Sequence, residues 1–552
     1  MAKIIKMARG NLYFIFLLLF GVFVTRSFFL PGFIPTHDGE YHIIRLWQFD
    51  KVLRGGQLIP FWAPDLNNGY GVPLFGFFYP IPNYIGETIH LLGFSFIDST
   101  KLSLAFSLII SSLAFYLWLN CFFSKRASFA GSIFYILAPY HLLDIFIRGS
   151  LGEAWAFAFA PLTLFTVTKL IKTKKRNLKL YFRLLAISLT LLILSHNILG
   201  AVFFFFALFY GIILNLYLKK ERFLLLFFGF IFSLLLSAFF ILTVIFEAKY
   251  TTGLKIINFK DHFPAFFQLI FPSWGSGFSV FGIGDGMSFQ IGPPHILAIF
   301  LAFLLFFLKD RKNPLPLFFF IILIASLYLM LENSIFLWTL FSFLAYFQYP
   351  WRILSLVILI SSFLVSYIIQ MQGKFLAIFF VAAALFFYLP YSKPVIYEAR
   401  YDNYYLENPT WSKGTATLGD SFSTLWFADT GKQAAKKNKI EIVSGKADVE
   451  IKKIKSQSYQ FYIKTESPID VKINTAYFPG WRVYADRKEQ RVDYSNGLIN
   501  FRVDSGEHLI DVNFEDTLVR KIGKAISLVA VVALFIAYVP KRLISFTGNS
   551  RV

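Results

Sequence analysis

Apolar stretches of membrane-spanning length recur from residue 10 to residue 390, and once more near 522–540. A helix needs about 20 consecutive apolar residues to cross the hydrocarbon core of a bilayer. A soluble fold buries a few such helices. It cannot hide this many in a chain of 552 residues that is 57% hydrophobic and only 15% charged, with 71 Phe. The expected fold class is a polytopic α-helical membrane protein.

Charge placement sharpens that reading. The formal charge is +21, which in a soluble protein would point to nucleic acid. Residues 391–521 hold 20 Lys+Arg against 18 Asp+Glu, so +19 belongs to the apolar part. There the basic residues gather in short loops: Lys125-Arg126, KTKKRNLK at 172–179, Lys219-Lys220 with Arg222, Lys309 with Arg311-Lys312, Lys374 and Lys541-Arg542. This is the positive-inside signature, and it excludes a nucleic-acid partner as the source of the charge. The single cysteine, Cys121, excludes an intrachain disulfide and a Cys-based metal site. Lys3, Lys6 and Arg9 precede an apolar run from Leu12 to Val24 with no small-residue cleavage site after it, so an uncleaved signal anchor is expected.

Placing every basic loop in the cytoplasm fixes the count. Crossings are expected near 10–30, 101–122, 127–146, 152–171, 180–196, 198–218, 223–246, 293–308, 314–331, 351–371, 374–390 and 522–540. That is about 12 transmembrane helices with both termini cytoplasmic, in a plasma (cytoplasmic) membrane. Pro80–Gly93 is short for a span and is expected to lie along the interface; Ser334–Tyr349 is set aside on the same logic. The transmembrane domain is residues 1–390, with outer loops at 31–100 and 247–292. Residues 391–521 change character, with alternating runs such as YQFYIKT and LINFRV and turn signals at Pro479-Gly480, Asn496-Gly497 and Ser505-Gly506. They predict an extracytoplasmic β-sandwich-like domain. Residues 522–552 supply the final helix and a tail.

Ionisable groups near a bilayer are costly and usually have a purpose. Twelve of the 14 acidic residues in the apolar part fall on the outer side of this topology. His37, Asp38, Glu40 and His42 cluster after Pro35; Asp38, Glu40 and His42 share a side if extended, Asp38 and His42 a face if helical. Asp38 is a candidate proton acceptor, and equally a helix N-cap before Tyr41–Leu53. GYGVPLF at 69–75 and FYPIP at 78–82, with Tyr79, read as a lipid groove or as an interfacial aromatic belt. Arg148 and Glu153 flank GSLG; Arg148 is either a phosphate ligand or half of a local pair. His196-Asn197 reads as a loop cap or a ligand, and Arg352 as a second phosphate-binding cation. Gly282–Gly286 is read as a flexible loop, since it follows no strand of a βαβ unit.

Taken together, His37-Asp38-Gly39, GYGVPLF, FYPIP, RGSLGE at 148–153, SHN at 195–197, YPWR at 349–352, YFPGW at 477–481, YSNGL at 494–498 and SGEH at 505–508 resemble the membrane-protein family named "6-pyruvoyl-tetrahydropterin synthase-related" and, more loosely, the YfhO-like membrane proteins. Both resemble GT-C glycosyltransferases. The pterin label implies no pterin chemistry, because the sequence has no His-rich zinc cluster. The GT-C resemblance implies an enzyme: inverting transfer of a sugar from a polyprenyl-phosphate donor to a glycan, lipid or protein acceptor on the outer face. It implies an acidic base in the first outer loop, here Asp38, with Glu40 as the competitor. No cofactor is expected, and two acids are too few to argue for a divalent metal. The rival classes are a transporter or flippase of lipid-linked sugars and a non-catalytic polysaccharide-binding scaffold.

Overall fold

A computed structural model describes residues 12–253, 258–427 and 438–536. The basic residues Lys3, Lys6 and Arg9 and the tail carrying Lys541-Arg542 lie outside the described residues. Each of the twelve apolar stretches marked in the sequence contains helix. The helices that matter below are α1 (Leu12–Val24), α2 (Gly39–Arg54), α3 (Ile81–Leu91), α4 (Phe96–Leu119), α5 (Lys125–Leu137), α6 (Leu151–Lys172), α7 (Asn197–Tyr217), α8 (Phe223–Leu236), α9 (Ala238–Glu247), α10 (Leu354–Gln372) and α11 (Leu518–Ile536).

Among the described residues, five helices are long and apolar enough to cross a membrane on their own, α4, α6, α7 and two that begin at Pro350 and Lys374. Three further bent pairs raise this to 8. This is the architecture of a multi-pass membrane protein. The twelve-crossing count goes further than these helices, because α1 and Pro293–Lys309 are shorter and α8 and α9 meet at 67°. Pro314–Leu329 turns by 96° into a short helix at 335–340, so the stretch set aside at 334–349 does not continue the rod.

Small residues let the central helices approach. α4 carries Ser103, Ser107, Ser111 and Ser112, all buried, and packs along α6 with its Ala154, Ala156, Ala158 and Ala160. Ser107 and Ser111 return their hydroxyls to carbonyls one turn back, at 2.7 Å each, so the apolar interior holds no stranded donor there. At Gly131 of α5 an added Cβ would meet Ser366 Oγ of α10 at 2.1 Å, so only glycine permits this crossing.

The C-terminal domain is two antiparallel sheets, one of 3 strands in the order β1-β4-β7 and one of 5 in the order β2-β3-β8-β5-β6. β1 is Ile440–Ser444, β2 Asp448–Lys455, β3 Ser458–Thr465, β4 Ile469–Ala476, β5 Trp481–Ala485, β6 Lys488–Gln490, β7 Leu498–Val503 and β8 Gly506–Phe514. Alternation is plain in β3, where Tyr459, Phe461 and Ile463 point into the core. β2 is an exposed edge carrying Lys452, Lys453 and Lys455, charges that discourage pairing with another chain. Trp481 is 3% exposed, stacked on Tyr459 with centroids 5.7 Å apart.

This domain does not hang on a tether. Its core is continuous with the segment between α2 and α3: Trp481 meets Trp62 edge-on at 5.6 Å, and Phe478 and Phe514 meet Phe61. Gly71, at φ +83, is required because a Cβ would strike Trp62 Nε1 at 2.3 Å. GYGVPLF is therefore a docking platform for the β-domain, which corrects its reading as a lipid groove. The turn Pro479-Gly480 is clasped from below by Arg520 of α11, which donates to the Pro479 carbonyl and pairs with Glu247 of α9 at 3.1 Å.

Candidate functional site

The chain leaves α1, turns through Pro35, and is stitched to the turn that precedes α6. His37 N–H donates to Ile147 O at 3.0 Å and Asp38 N–H to Arg148 O at 2.9 Å. These two bonds place Asp38 and Arg148 on one rim. Residues 144–148 form a single π-helical turn, a wide turn common at functional sites, closed by Gly149 in the left-handed conformation at φ +64. A Cβ on Gly149 would lie 2.1 Å from Thr36 Oγ1, and one on Gly152 would lie 2.3 Å from the Tyr79 ring. The two glycines of RGSLGE thus admit, in turn, Thr36 and Tyr79.

A cavity of about 310 Å³ opens at this junction. His37, Asp38, Tyr79, Arg148, His196, Asn197 and Arg352 all line it. Four of the elements that build it come from widely separated parts of the chain: the segment between α1 and α3, the α6 and α7 N-termini, and the turn before α10. Phe278 and Ser279, from the segment after α9, and Thr417, Ser421 and Phe422 of the segment leading to the β-domain complete its walls.

Beneath the arginines lies Glu153, fully buried. Its Oε1 accepts from Arg148 Nη2 at 2.8 Å and from Arg352 Nε at 2.9 Å, while Oε2 accepts from the Tyr140 hydroxyl at 2.9 Å. Asp144, also buried, takes Arg148 Nη1 at 2.5 Å. Glu153 does not line the cavity, and its pairing with Arg148 is the local pair that the sequence offered as one reading of RGSLGE. It is the buried anion that holds two cations in register. Arg352 Nη1 is spent on Phe347 O at 2.8 Å and Gln348 Oε1 at 2.7 Å. Arg148 and Arg352 thus share the buried carboxyl groups of Glu153 and Asp144.

The uncompensated cation is one the sequence reading missed. Arg45 lines the same cavity, 4% exposed, with Nε donating to Ala416 O at 2.7 Å and its guanidinium 3.9 Å above the Phe78 ring. No carboxylate pairs with it among the described residues. The available signal was spacing: Asp38, Tyr41 and Arg45 sit at i, i+3 and i+7, one face of α2. All three line the cavity.

Asp38 occupies the N-cap position of α2, yet its side chain makes no capping hydrogen bond. Its half-buried carboxylate accepts no bond from, and pairs with no cation on, any described residue. Glu40 goes elsewhere: it pairs with Arg400, which also pairs with Glu398. His42 is buried and does not reach the cavity; its Nε2 accepts the Leu151 N–H at 3.3 Å, tying α2 to the start of α6. Burial, then the Arg45 charge, holds the His42 imidazole well below its usual range, so it is neutral.

His196 settles as both cap and lining residue. Its Nδ1 accepts from Ile198 N–H and Leu199 N–H at 3.3 and 3.1 Å, which leaves the proton on Nε2. It faces the cavity with that N–H donor. Asn197 donates to Phe77 O at 3.0 Å, fixing the FYPIP turn. Burial also lowers His37, whose Nε2–H donates to Ser276 O at 3.0 Å while its ring stacks on Phe278 at 4.3 Å. The glycine loop at 282–286 closes a hairpin, Asp285 accepting from Val280 N–H and Gln268 Nε2, each at 3.0 Å.

No group of three or more His, Cys, Asp or Glu among the described residues is placed to hold a metal ion. No protein-family profile matches the chain, and no curated protein does, so the membrane families named from the motifs stand as a resemblance. Among solved structures, the chain is similar to arabinofuranosyltransferase AftD from Mycobacteria, solved by single-particle cryo-electron microscopy, at 13% identity and a TM-score of 0.45. That likeness covers 69% of this chain and 26% of the other, so the chain spans about a quarter of the length of the protein it matches.

Proposed function

We propose that this protein is a membrane glycosyltransferase that moves a sugar from a polyprenyl-phosphate donor to an acceptor hydroxyl on the outer face, with inversion. One observation carries the reading: an unpaired carboxylate, Asp38, shares a cavity with three arginines. The motif resemblance to GT-C enzymes points the same way. In the reaction the acceptor oxygen attacks the anomeric carbon, its proton passes to Asp38, and the bond from that carbon to the phosphate oxygen breaks with the electron pair leaving on phosphate. A base of this kind contributes about 10²–10⁴ in rate.

Arg45 supplies charge that the leaving phosphate needs, because it pairs with no carboxylate among the described residues, whereas Arg148 and Arg352 are both held by Glu153. The pair still matters through position. Arg352 Nη2 makes no hydrogen bond with any described residue, and His196 adds an N–H donor; fixed donors aimed at developing charge are the strongest source of electrostatic catalysis. Glu40, paired with Arg400, is not the base. The twelve-crossing topology, with cytoplasmic termini and an outward cavity, belongs to the same proposal. The reading is tested by incubating purified protein with a polyprenyl-phosphate sugar and measuring release of free polyprenyl phosphate. Release that depends on Asp38 supports it, and none sinks it.

A further inference from the structure

The stretch from His37 to Tyr41 is a partition. On its far side lies a second cavity of about 440 Å³. His37, Tyr41 and Phe278 line both cavities, whereas Asp38 opens only on the first and Glu40 only on the second.

The two cavities differ in chemistry. Three arginines line the first. No Lys or Arg lines the second; its charged side chain is Glu40, and the Arg400 that holds Glu40 is shared with Glu398, two carboxylates to one guanidinium. Trp411 and Thr36 line this cavity, and the indole N–H and the hydroxyl are enclosed with no hydrogen-bond partner among the described residues. Beside them stand apolar faces, Phe146, Val395 and Ile396. An aromatic ring beside a carboxylate acceptor complements an uncharged sugar ring, whose C–H face packs on the aromatic while its hydroxyls donate to the carboxylate. A phosphate or carboxylate ligand would meet the Glu40 carboxylate and no cation in the lining, and be repelled. Charge thus sorts ligands between the two sides.

We infer that the second cavity binds a neutral saccharide. That this saccharide is the acceptor, offering its hydroxyl across the His37–Tyr41 partition to Asp38, rests on the proposed glycosyltransferase reading; saccharide binding itself does not.

The test uses the full chain in a detergent without a sugar headgroup, with saturation-transfer NMR as the readout. The probes are methyl α-D-glucopyranoside, methyl α-D-mannopyranoside and methyl β-D-galactopyranoside, with α-D-glucose 1-phosphate as the charged counterpart. At least one neutral glycoside binds saturably, and Trp411→Ala weakens it about tenfold through loss of the stacking face. Trp411→Phe, which keeps a ring and loses the N–H, and Glu40→Gln each weaken it less, and both serve if the alanine variant fails to fold. Absence of binding by all three glycosides, equal binding of the sugar phosphate, or indifference to every substitution overturns the inference. Donor cleavage without glycoside binding removes the inference and leaves the proposed function; Trp411-dependent binding without donor cleavage does the reverse.

Discussion

Asp38 and Glu40 are two residues apart and serve different cavities. Asp38 lines the arginine-bearing one with its carboxylate unpaired, and Glu40 turns away into an ion pair with Arg400. The separation follows from the start of α2 at Gly39: in a helix, i and i+2 diverge by more than a right angle. The proposed function therefore rests on one acid of an otherwise equivalent pair.

Glu153 is the keystone of the buried charges. Glu153→Ala leaves Arg148 and Arg352 without their common anion, and removing one partner of a buried pair costs about 3–5 kcal/mol. Thermal unfolding in detergent should show a large fall. Glu153→Gln keeps the shape and some acceptor capacity and should lose less. An alanine variant as stable as the parent contradicts the assignment.

Gly149 answers to two constraints, its positive φ and its approach to Thr36. Gly149→Ala is expected to cost about 1–3 kcal/mol from backbone strain, with contact repulsion added. Gly149→Ala combined with Thr36→Ala, which removes the hydroxyl at 2.1 Å, recovers part of the contact term but none of the strain. Melting temperatures of the single and double variants separate the two contributions; identical values mean that Thr36 is not the neighbour that matters.

Some of this was legible in the sequence, and the dividing line is distance along the chain. His37, Asp38, Arg148, His196 and Arg352 all stand at helix junctions, where a polar residue beside an apolar run is conspicuous. Arg45 was not conspicuous, because a single arginine in the amphipathic run of α2 looks like an ordinary solvated position until the segment around Ala416 closes over it. The roles of Glu40 and Glu153 were hidden for a similar reason: Arg400 and Arg352 lie far away in sequence. GYGVPLF read as lipid-facing because aromatics near a bilayer usually are; its partner, the YFPGW turn of the β-domain, begins some 400 residues later.

Lys439 links that domain to the platform, its ammonium donating to Gly69 O and, at 3.2 Å, to Asn474 O. Burial pulls its pKa down from 10.5 to about 8. Between these values the unfolded chain binds more protons than the folded one, so this group makes stability rise with pH across that window. Lys439→Met should flatten the rise in melting temperature above pH 8. An unchanged slope would show that Lys439 is not the source.

The proposed topology puts Lys175 and Lys220 on the cytoplasmic side, with Asp285 and Gly445 outside. Single cysteines at these positions, with Cys121 replaced, should react with an impermeant thiol reagent in intact cells at 285 and 445 only. Labelling at 175 but not at 445 would invert the cavity and with it the mechanism.

The central claim is that Asp38 is the base. Asp38→Asn keeps the size of the side chain, and since the carboxylate makes no capping bond, no structural role is lost with the charge. Turnover of a polyprenyl-phosphate sugar to free polyprenyl phosphate should fall by roughly 10²–10⁴, with protein abundance and donor binding little changed. Wild-type turnover in the Asp38→Asn protein would contradict the account.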